Sequence, residues 1–135
     1  MYRHSCQHRR HNKNLLMAHI ILATKYRKRI LFRDIRDDVK QSLFEICCRH
    51  HWYIVRMETD KDHIHLLLQY PPMDSITRIV TTIKSYSTYH MWRKHHKQLS
   101  GHYWKEHTLW SDGYFAASIG EVSAETIKRY IESQG

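Results

Sequence analysis

The sequence has few of the residues that interrupt regular structure. Its 135 residues include only two prolines, the adjacent Pro71 and Pro72, and four glycines. No internal repeat, low-complexity tract or long linker is visible, and the length suits one compact domain. We therefore expect a single domain at residues 14–135, preceded by a basic N-terminal extension at residues 1–13.

Long apolar stretches are also lacking. No run reaches the roughly 18 residues that would span a bilayer, and the first residues, Met1 to Cys6, lack the apolar stretch of a secretory signal. The three cysteines, two of them the adjacent Cys47 and Cys48, offer neither a disulfide framework nor a CxxC zinc pair. These absences favour a cytoplasmic protein that does not associate with membranes.

Acidic residues are missing from two long stretches. Residues 1–33 contain nine Lys or Arg and no acid, residues 75–105 contain six and no acid, and the formal net charge is +9. Solvated protein surfaces usually mix both signs, whereas a one-signed field attracts polyanions. The pattern predicts contact with nucleic acid.

The hydrophobic pattern predicts seven elements. A central strand and a helix come first, a β-hairpin and a second helix follow, and a short strand and a last helix close the chain. In that order, the predicted elements lie at 15–26, 34–50, 53–58, 63–70, 74–94, 114–119 and 123–134, with Asp34 and Asp74 as helix caps and Ser123 opening the last helix. The order β-α-β-β-α-β-α predicts an α+β fold, an antiparallel sheet with helices packed on it in a ferredoxin-like arrangement.

The segment His63-Ile64-His65 is the first candidate for chemistry. On a strand, side chains alternate between faces, so the two imidazoles point the same way and stand about 7 Å apart. Such a pair can converge on one divalent ion. With 13 histidines in the chain, chance is an alternative explanation of the pattern.

Tyr130 and Gln134 are four residues apart and share one face of the last predicted helix. A tyrosine hydroxyl is a poor nucleophile at neutral pH, because its pKa is about 10, and a nearby metal ion that binds the phosphate is the usual remedy. The alternative is structural, since Tyr130 and Gln134 also lie in a stripe with Ile127 and Ile131 that would suit core packing.

Considered together, these features resemble the single-tyrosine HUH transposases of small bacterial insertion sequences, in which HUH denotes two histidines around a hydrophobic residue. The resemblance runs in order through the chain from about Asn14. It rests on Thr24-Lys25-Tyr26-Arg27, Asp62-His63-Ile64-His65-Leu66-Leu67, Pro71-Pro72, Ile83-Lys84, Leu109-Trp110, Gly113-Tyr114-Phe115 and Lys128-Arg129-Tyr130-Ile131-Glu132-Ser133-Gln134.

The resemblance implies the HUH endonuclease arrangement of the fold and a role for each site residue. Tyr130 would be the nucleophile, and His63, His65 and Gln134 would bind a divalent metal, Mg²⁺ or Mn²⁺. Attack would leave a 5′-phosphotyrosine and a free 3′-hydroxyl. The substrates would be single-stranded DNA hairpins at the element's ends, and a homodimer would form active sites shared between subunits, with Gly120 as a hinge before the tyrosine helix.

DNA contacts are expected from six basic residues in the acid-free stretches, Arg27, Lys28, Arg29, Lys84, Arg93 and Lys94. Lys84 is alternatively a residue that assists the leaving group. Four aromatic residues are candidates either for base stacking or for the core, namely Trp92, Tyr103, Trp104 and Trp110. Two other functions remain open at this point, a nucleic-acid-binding module without catalysis and a domesticated, repeat-associated tyrosine nickase.

Overall fold

A computed structural model describes residues 15–119, 129 and 131–133 of the chain. Its elements are, in order, β1 (Leu16–Ala23), a 3-10 turn (Lys25–Arg27), α1 (Arg33–Arg49), β2 (Tyr53–Thr59), β3 (His63–Tyr70), α2 (Ile76–Lys94), α3 (His96–Ser100) and β4 (Phe115–Ser118). Residues 129 and 131–133 are helical, while the other residues of the predicted last helix, its start at Ser123 and the expected hinge Gly120 lie outside the described residues.

The four strands form one antiparallel sheet in the order β2-β3-β1-β4. Helix α1 connects β1 to β2 across β3, and helix α2 connects β3 to β4 across β1. This topology confirms the predicted α+β fold and its ferredoxin-like arrangement. Within the described part of the chain, no helix combines the length and the hydropathy that crossing a membrane requires.

One sheet face packs against α1 and α2 and forms the core. Every second residue of the two central strands is buried there, as the period-two pattern of strands requires. The fully buried side chains include Ile20 and Leu22 of β1, Ile64, Leu66 and Leu68 of β3, Val39 and Leu43 of α1, and Ile79 and Ile83 of α2.

The opposite face carries the intervening residues. His63 and His65 of β3 are half-buried, in contrast to the buried Ile64 between them. His19 of β1 lies on the same face, because the register places it opposite Leu67 and places Ile21 opposite His65. We call this side of the sheet the histidine face.

Both predicted helix caps are wrong by one or two residues. Helix α1 begins after Phe32, and Asp34 lies in its first turn; the backbone bond from Leu31 N–H to the Lys61 carbonyl, 2.9 Å, holds the chain just before that start. Helix α2 is capped by Ser75, whose Oγ accepts from the Arg78 N–H. The carboxylate of Asp74 is instead engaged by side chains.

The first strand is shorter than expected. It ends at Ala23, because Tyr26 and Arg27 have positive φ angles of 58° and 51° that no strand accommodates. Helix α3 lies between the predicted elements at 74–94 and 114–119, where the sequence predicts no helix. A single buried apolar residue, Leu99, anchors its five residues, and so short an element shows no hydrophobic period.

Candidate active site

Asp62 holds the first histidine of the H-x-H segment. Its Oδ1 lies 2.9 Å from His63 Nδ1, its Oδ2 accepts from Arg27 Nε at 3.0 Å, and Arg27 Nη2 lies 2.9 Å from the same oxygen as an ion pair. The Asp62 side chain is 11% exposed and that of Arg27 is 27% exposed. With Nδ1 engaged by the carboxylate, coordination by His63 falls to Nε2, the arrangement by which carboxylates orient metal-binding imidazoles.

The carboxyl of Asp62 stays ionised. Burial opposes its charge, but the hydrogen bonds from His63 and Arg27 outweigh that effect and hold the pKa of Asp62 below its usual value. A negative charge therefore stands directly behind the His63 ring. Such a charge strengthens the ring as an electron donor to a cation.

His65 is held by a different partner. Its Nε2 lies 2.8 Å from Nδ1 of His19, and its Nδ1 lies 4.0 Å from Oε1 of Glu58. Burial, and next the charge of neighbouring His19, lowers the pKa of His65. The neutral form, which is the form that binds metals, is therefore favoured at neutral pH.

Backbone bonds join the segments that meet at this end of the sheet. The Thr24 N–H donates to the Asp62 carbonyl at 2.9 Å, and the Lys25 N–H donates to the Leu109 carbonyl at 2.9 Å. The Thr24 hydroxyl donates to the Lys28 carbonyl at 2.7 Å and closes the turn that carries Arg27. This network fixes where Arg27 meets Asp62.

The six basic residues predicted to contact DNA fall into two groups. Three have acidic or carbonyl partners: Arg27 binds Asp62, Lys94 Nζ lies 3.3 Å from Asp38 Oδ1, and Lys84 is described below. In the second group, Arg29 and Arg93 are exposed and Lys28 is half-exposed. Arg93 Nη1 donates to the Tyr89 hydroxyl at 2.9 Å, and its guanidinium lies 5.6 Å from the centre of the Tyr89 ring. The second group is accessible to phosphates.

Lys84 joins α2 to the loop before β4. Its Nζ donates to the carbonyl oxygens of Ser111, Asp112 and Gly113 at 2.7, 3.2 and 2.9 Å. An ammonium group has three protons, so these three bonds account for all of them. Burial lowers the pKa of Lys84, and the geometry favours a role in holding this loop.

Three of the four aromatic candidates are core residues. Trp92, Tyr103 and Trp110 are buried, and their polar atoms donate to Thr108 O, Lys25 O and Ser87 Oγ, respectively. Trp104 is 73% exposed, with Lys105 Nζ 4.9 Å from its ring centre. Only this ring of the four presents a face for base stacking.

Tyr130 and Gln134, the predicted nucleophile and third ligand, lie outside the described residues. Among the residues that are described, no three His, Cys, Asp or Glu side chains are grouped closely enough to hold an ion. The described part of the site therefore offers two imidazoles, His63 and His65, on one face. This donor set fits a divalent ion whose remaining ligands are oxygens from a glutamine and a phosphate.

The residues around the two histidines were not predicted. An acid directly before H-x-H is a signal for Asp62, because a carboxylate beside a histidine often orients it. No sequence signal identifies His19, since its proximity to His65 depends on the pairing register of strands far apart in the chain.

The comparisons with known proteins agree on one family. The chain is 32% identical over 119 residues to the ISDra2 transposase TnpA of Deinococcus radiodurans, covering 88% of this chain and 84% of that protein. It is 29% identical over 116 residues to the transposase for insertion sequence element IS200 of Salmonella typhimurium, covering 86% and 74%.

Solved structures show the same fold. A Deinococcus radiodurans crystal structure ascribed to a transposase superposes with a TM-score of 0.81 at 30% identity, covering 94% of this chain and 96% of that one. The structure of a REP-associated tyrosine transposase bound to a REP hairpin gives a TM-score of 0.57 at 12% identity, covering 93% and 67%, a likeness of fold alone. Since the family model described as "Transposase IS200 like" matches residues 12–134, this chain belongs to the IS200-like transposase family.

Proposed function

We propose that this transposase cleaves and rejoins single-stranded DNA at hairpin-flanked element ends, with Tyr130 as the nucleophile and His63 and His65 as metal ligands. Membership of the family makes the chain an enzyme that cuts and joins DNA strands. The metal-dependent mechanism is supported by the pair of half-buried imidazoles on one sheet face, one of them oriented by the ionised Asp62.

The chemistry requires no external energy source. The Tyr130 hydroxyl gives up its proton as its oxygen attacks the scissile phosphorus, the bond to the 3′-oxygen breaks, and that oxygen takes up a proton to become a 3′-hydroxyl. The phosphate is then joined to the tyrosine as a 5′-phosphotyrosine. A 3′-hydroxyl from another DNA end later attacks the same phosphorus and releases the tyrosine, so that phosphodiester bonds are conserved.

His63 and His65 would hold a Mg²⁺ or Mn²⁺ ion, with Gln134 as the third protein ligand. When bound, the ion would supply a Lewis acid that withdraws charge from the phosphate oxygens and a template that positions them. Asp62 keeps the His63 ring in place through the 2.9 Å contact, and Arg27 holds Asp62 from its other side. These protein contacts orient the ligands before DNA arrives.

The DNA partner we propose is a hairpin with single-stranded flanks. The structural relative noted above binds a REP hairpin, and the +9 net charge of this chain suits a polyanion. Lys28, Arg29 and Arg93 would contact phosphates directly. Arg27, Lys84 and Lys94, with partners inside the protein, would contribute mainly through the local positive field.

We further propose a homodimer in which the histidines of one subunit meet the tyrosine helix of the other. Strand β4 lies at one edge of the described strand order β2-β3-β1-β4, and an edge strand is a common place for a second chain to pair. Residues 14–135 would form the catalytic domain and residues 1–13 a basic extension. The activity would take place in the cytoplasm, where a bacterial or archaeal chromosome lies.

A denaturing gel tests this proposal. The full chain is incubated with a labelled single strand that carries the hairpin and flank of its own element, in Mn²⁺, in Mg²⁺ or in EDTA. We expect a metal-dependent covalent adduct with the wild type and with Tyr26→Phe, a control that removes the hydroxyl of an exposed tyrosine next to Arg27 in the chain. We expect none with Tyr130→Phe. Cleavage that persists in Tyr130→Phe, or binding without an adduct in either metal, would refute the mechanism.

A further inference from the structure

A third histidine on the histidine face contacts the candidate metal site. His19 Nδ1 lies 2.8 Å from His65 Nε2, and the two ring centres are 5.0 Å apart. The register pairs Ile21 with His65, which makes His19 the diagonal cross-strand neighbour of His65. Diagonal neighbours on one face are within reach of each other when the side chains are rings.

The contact is specific because a neutral imidazole has one donor and one acceptor nitrogen. Two neutral rings can share a single hydrogen bond in which one nitrogen donates and the other accepts. Either nitrogen of the contact can be the donor, and we assign the proton to Nε2 of His65, which leaves the lone pair of His65 on Nδ1, 4.0 Å from Oε1 of Glu58. The hydrogen bond then fixes both the rotation of the His65 ring and the nitrogen that remains able to coordinate.

The two candidate ligands would thus be supported in parallel ways. Asp62 engages Nδ1 of His63 from the turn before β3, and His19 engages Nε2 of His65 from the neighbouring strand. Without a partner, an imidazole on a half-exposed sheet face rotates between orientations, and binding an ion would have to restrict that rotation. Partners that orient ligating histidines typically change metal affinity about 10–100-fold.

We propose that His19 is a positioning residue of the metal site, which holds the imidazole of His65 ready to coordinate. The inference rests on the proposed function, because it assumes that His63 and His65 bind a divalent ion. It adds a residue on β1 that neither the H-x-H segment nor the Tyr130 helix contains. His19 itself would touch neither the DNA nor the reacting phosphate.

The test is the dissociation constant for Mn²⁺, measured by electron paramagnetic resonance on the full chain without DNA. His19→Leu removes the hydrogen bond, while His19→Asn keeps a polar atom near the position of Nδ1. Met17→Leu changes another residue of β1 on the same face and serves as the control. His65→Leu defines the background of binding by the chain's other histidines.

We expect His19→Leu to weaken Mn²⁺ binding about 10–100-fold, His19→Asn to recover a substantial part of the loss, and Met17→Leu to bind like the wild type. Thermal melting without metal shows whether each variant is folded. If His19→Leu is unfolded, the Mn²⁺ dissociation constant of His19→Asn is compared with those of the wild type and Met17→Leu instead. Unchanged or tighter binding in His19→Leu, or a loss that Asn does not restore at all, would overturn the proposal. A wild type that binds no more Mn²⁺ than His65→Leu would instead refute the metal site of the proposed function.

Discussion

Replacing Asp62 by Asn tests the part of the site that the structure defines best. The substitution keeps the size of the side chain but removes the negative charge that faces His63 and Arg27. The charged hydrogen bond from Arg27 Nε at 3.0 Å and the ion-pair contact of Nη2 at 2.9 Å lose their ionised acceptor. A charged hydrogen bond contributes about 1.5–3 kcal/mol. Because Arg27 is partly exposed and can regain water, we expect a net loss of about 2 kcal/mol in the free energy of unfolding.

Urea denaturation of the metal-free protein measures this loss. The matched control is Asp112→Asn, which removes an aspartate whose carboxylate lies 3.2 Å from Lys25 but is 94% exposed. Surface ion pairs of this kind contribute little to stability, so the control should unfold at nearly the wild-type urea concentration. Equal midpoints for Asp62→Asn and Asp112→Asn would refute the claim that Asp62 is a buried anchor of the site.

The same variant should also bind Mn²⁺ about 10–100-fold more weakly than the wild type, since the His63 ring loses the charge that orients it. Titration of the folded protein, under conditions where the melting curve shows no unfolding, separates this effect from the loss of stability. Wild-type affinity in Asp62→Asn would show that the carboxylate supports the fold but not the metal ligand.

Three further substitutions test individual contacts. Lys84→Met should lower the free energy of unfolding by about 2 kcal/mol, because three carbonyl oxygens lose their ammonium donor. If this variant instead reduces the salt dependence of hairpin binding, Lys84 contacts a phosphate. Arg93→Ala should weaken hairpin binding for all sequences alike. It should also reduce the magnitude of the slope of log association constant against log salt concentration by about 1. An unchanged slope would exclude a phosphate contact. Trp52→Phe should cost about 2–3 kcal/mol in urea denaturation, since the buried indole donates to Asp74 at 2.8 Å; wild-type stability would contradict this.

The strand pattern determined much of the fold in advance. The alternation around Ile64 in β3 places His63 and His65 on one face, as predicted, because the side-chain period of a strand is local. The order of the four strands and of the two long helices α1 and α2, and the antiparallel ferredoxin-like sheet, were also predicted correctly. The end of α2 at Lys94 was correct as well, since the apolar period stops there.

Errors occurred where tertiary contacts override local preference. Asp74 is a good N-cap residue by type, but its carboxylate accepts from Trp52 across the fold, and Ser75 becomes the cap. Arg27 belongs to a basic run that suits DNA, and a buried carboxylate 35 residues away in sequence engages it; its contact with DNA stays a prediction. Sequence composition indicates that such side chains are charged, but the fold determines which partner they meet.

The residues around the site follow from strand register and chain packing. His19 reaches His65 only because β1 and β3 pair with Ile21 opposite His65, and a shift of one residue would turn it to the core. Lys84 reaches the loop before β4 because α2 packs on the sheet through the shared core. Neither contact has a local signal in the chain.

The most direct test of the central claim is to identify the amino acid that becomes joined to DNA. The adduct formed with the hairpin substrate in Mn²⁺ would be digested with nuclease and trypsin and analysed by mass spectrometry. Trypsin cuts after Arg129 and gives a peptide that begins at Tyr130. We expect the residual 5′-linked nucleotide on that peptide, attached to the tyrosine oxygen. A nucleotide found on any other residue, or a cleaved DNA with no modified peptide, would contradict the mechanism.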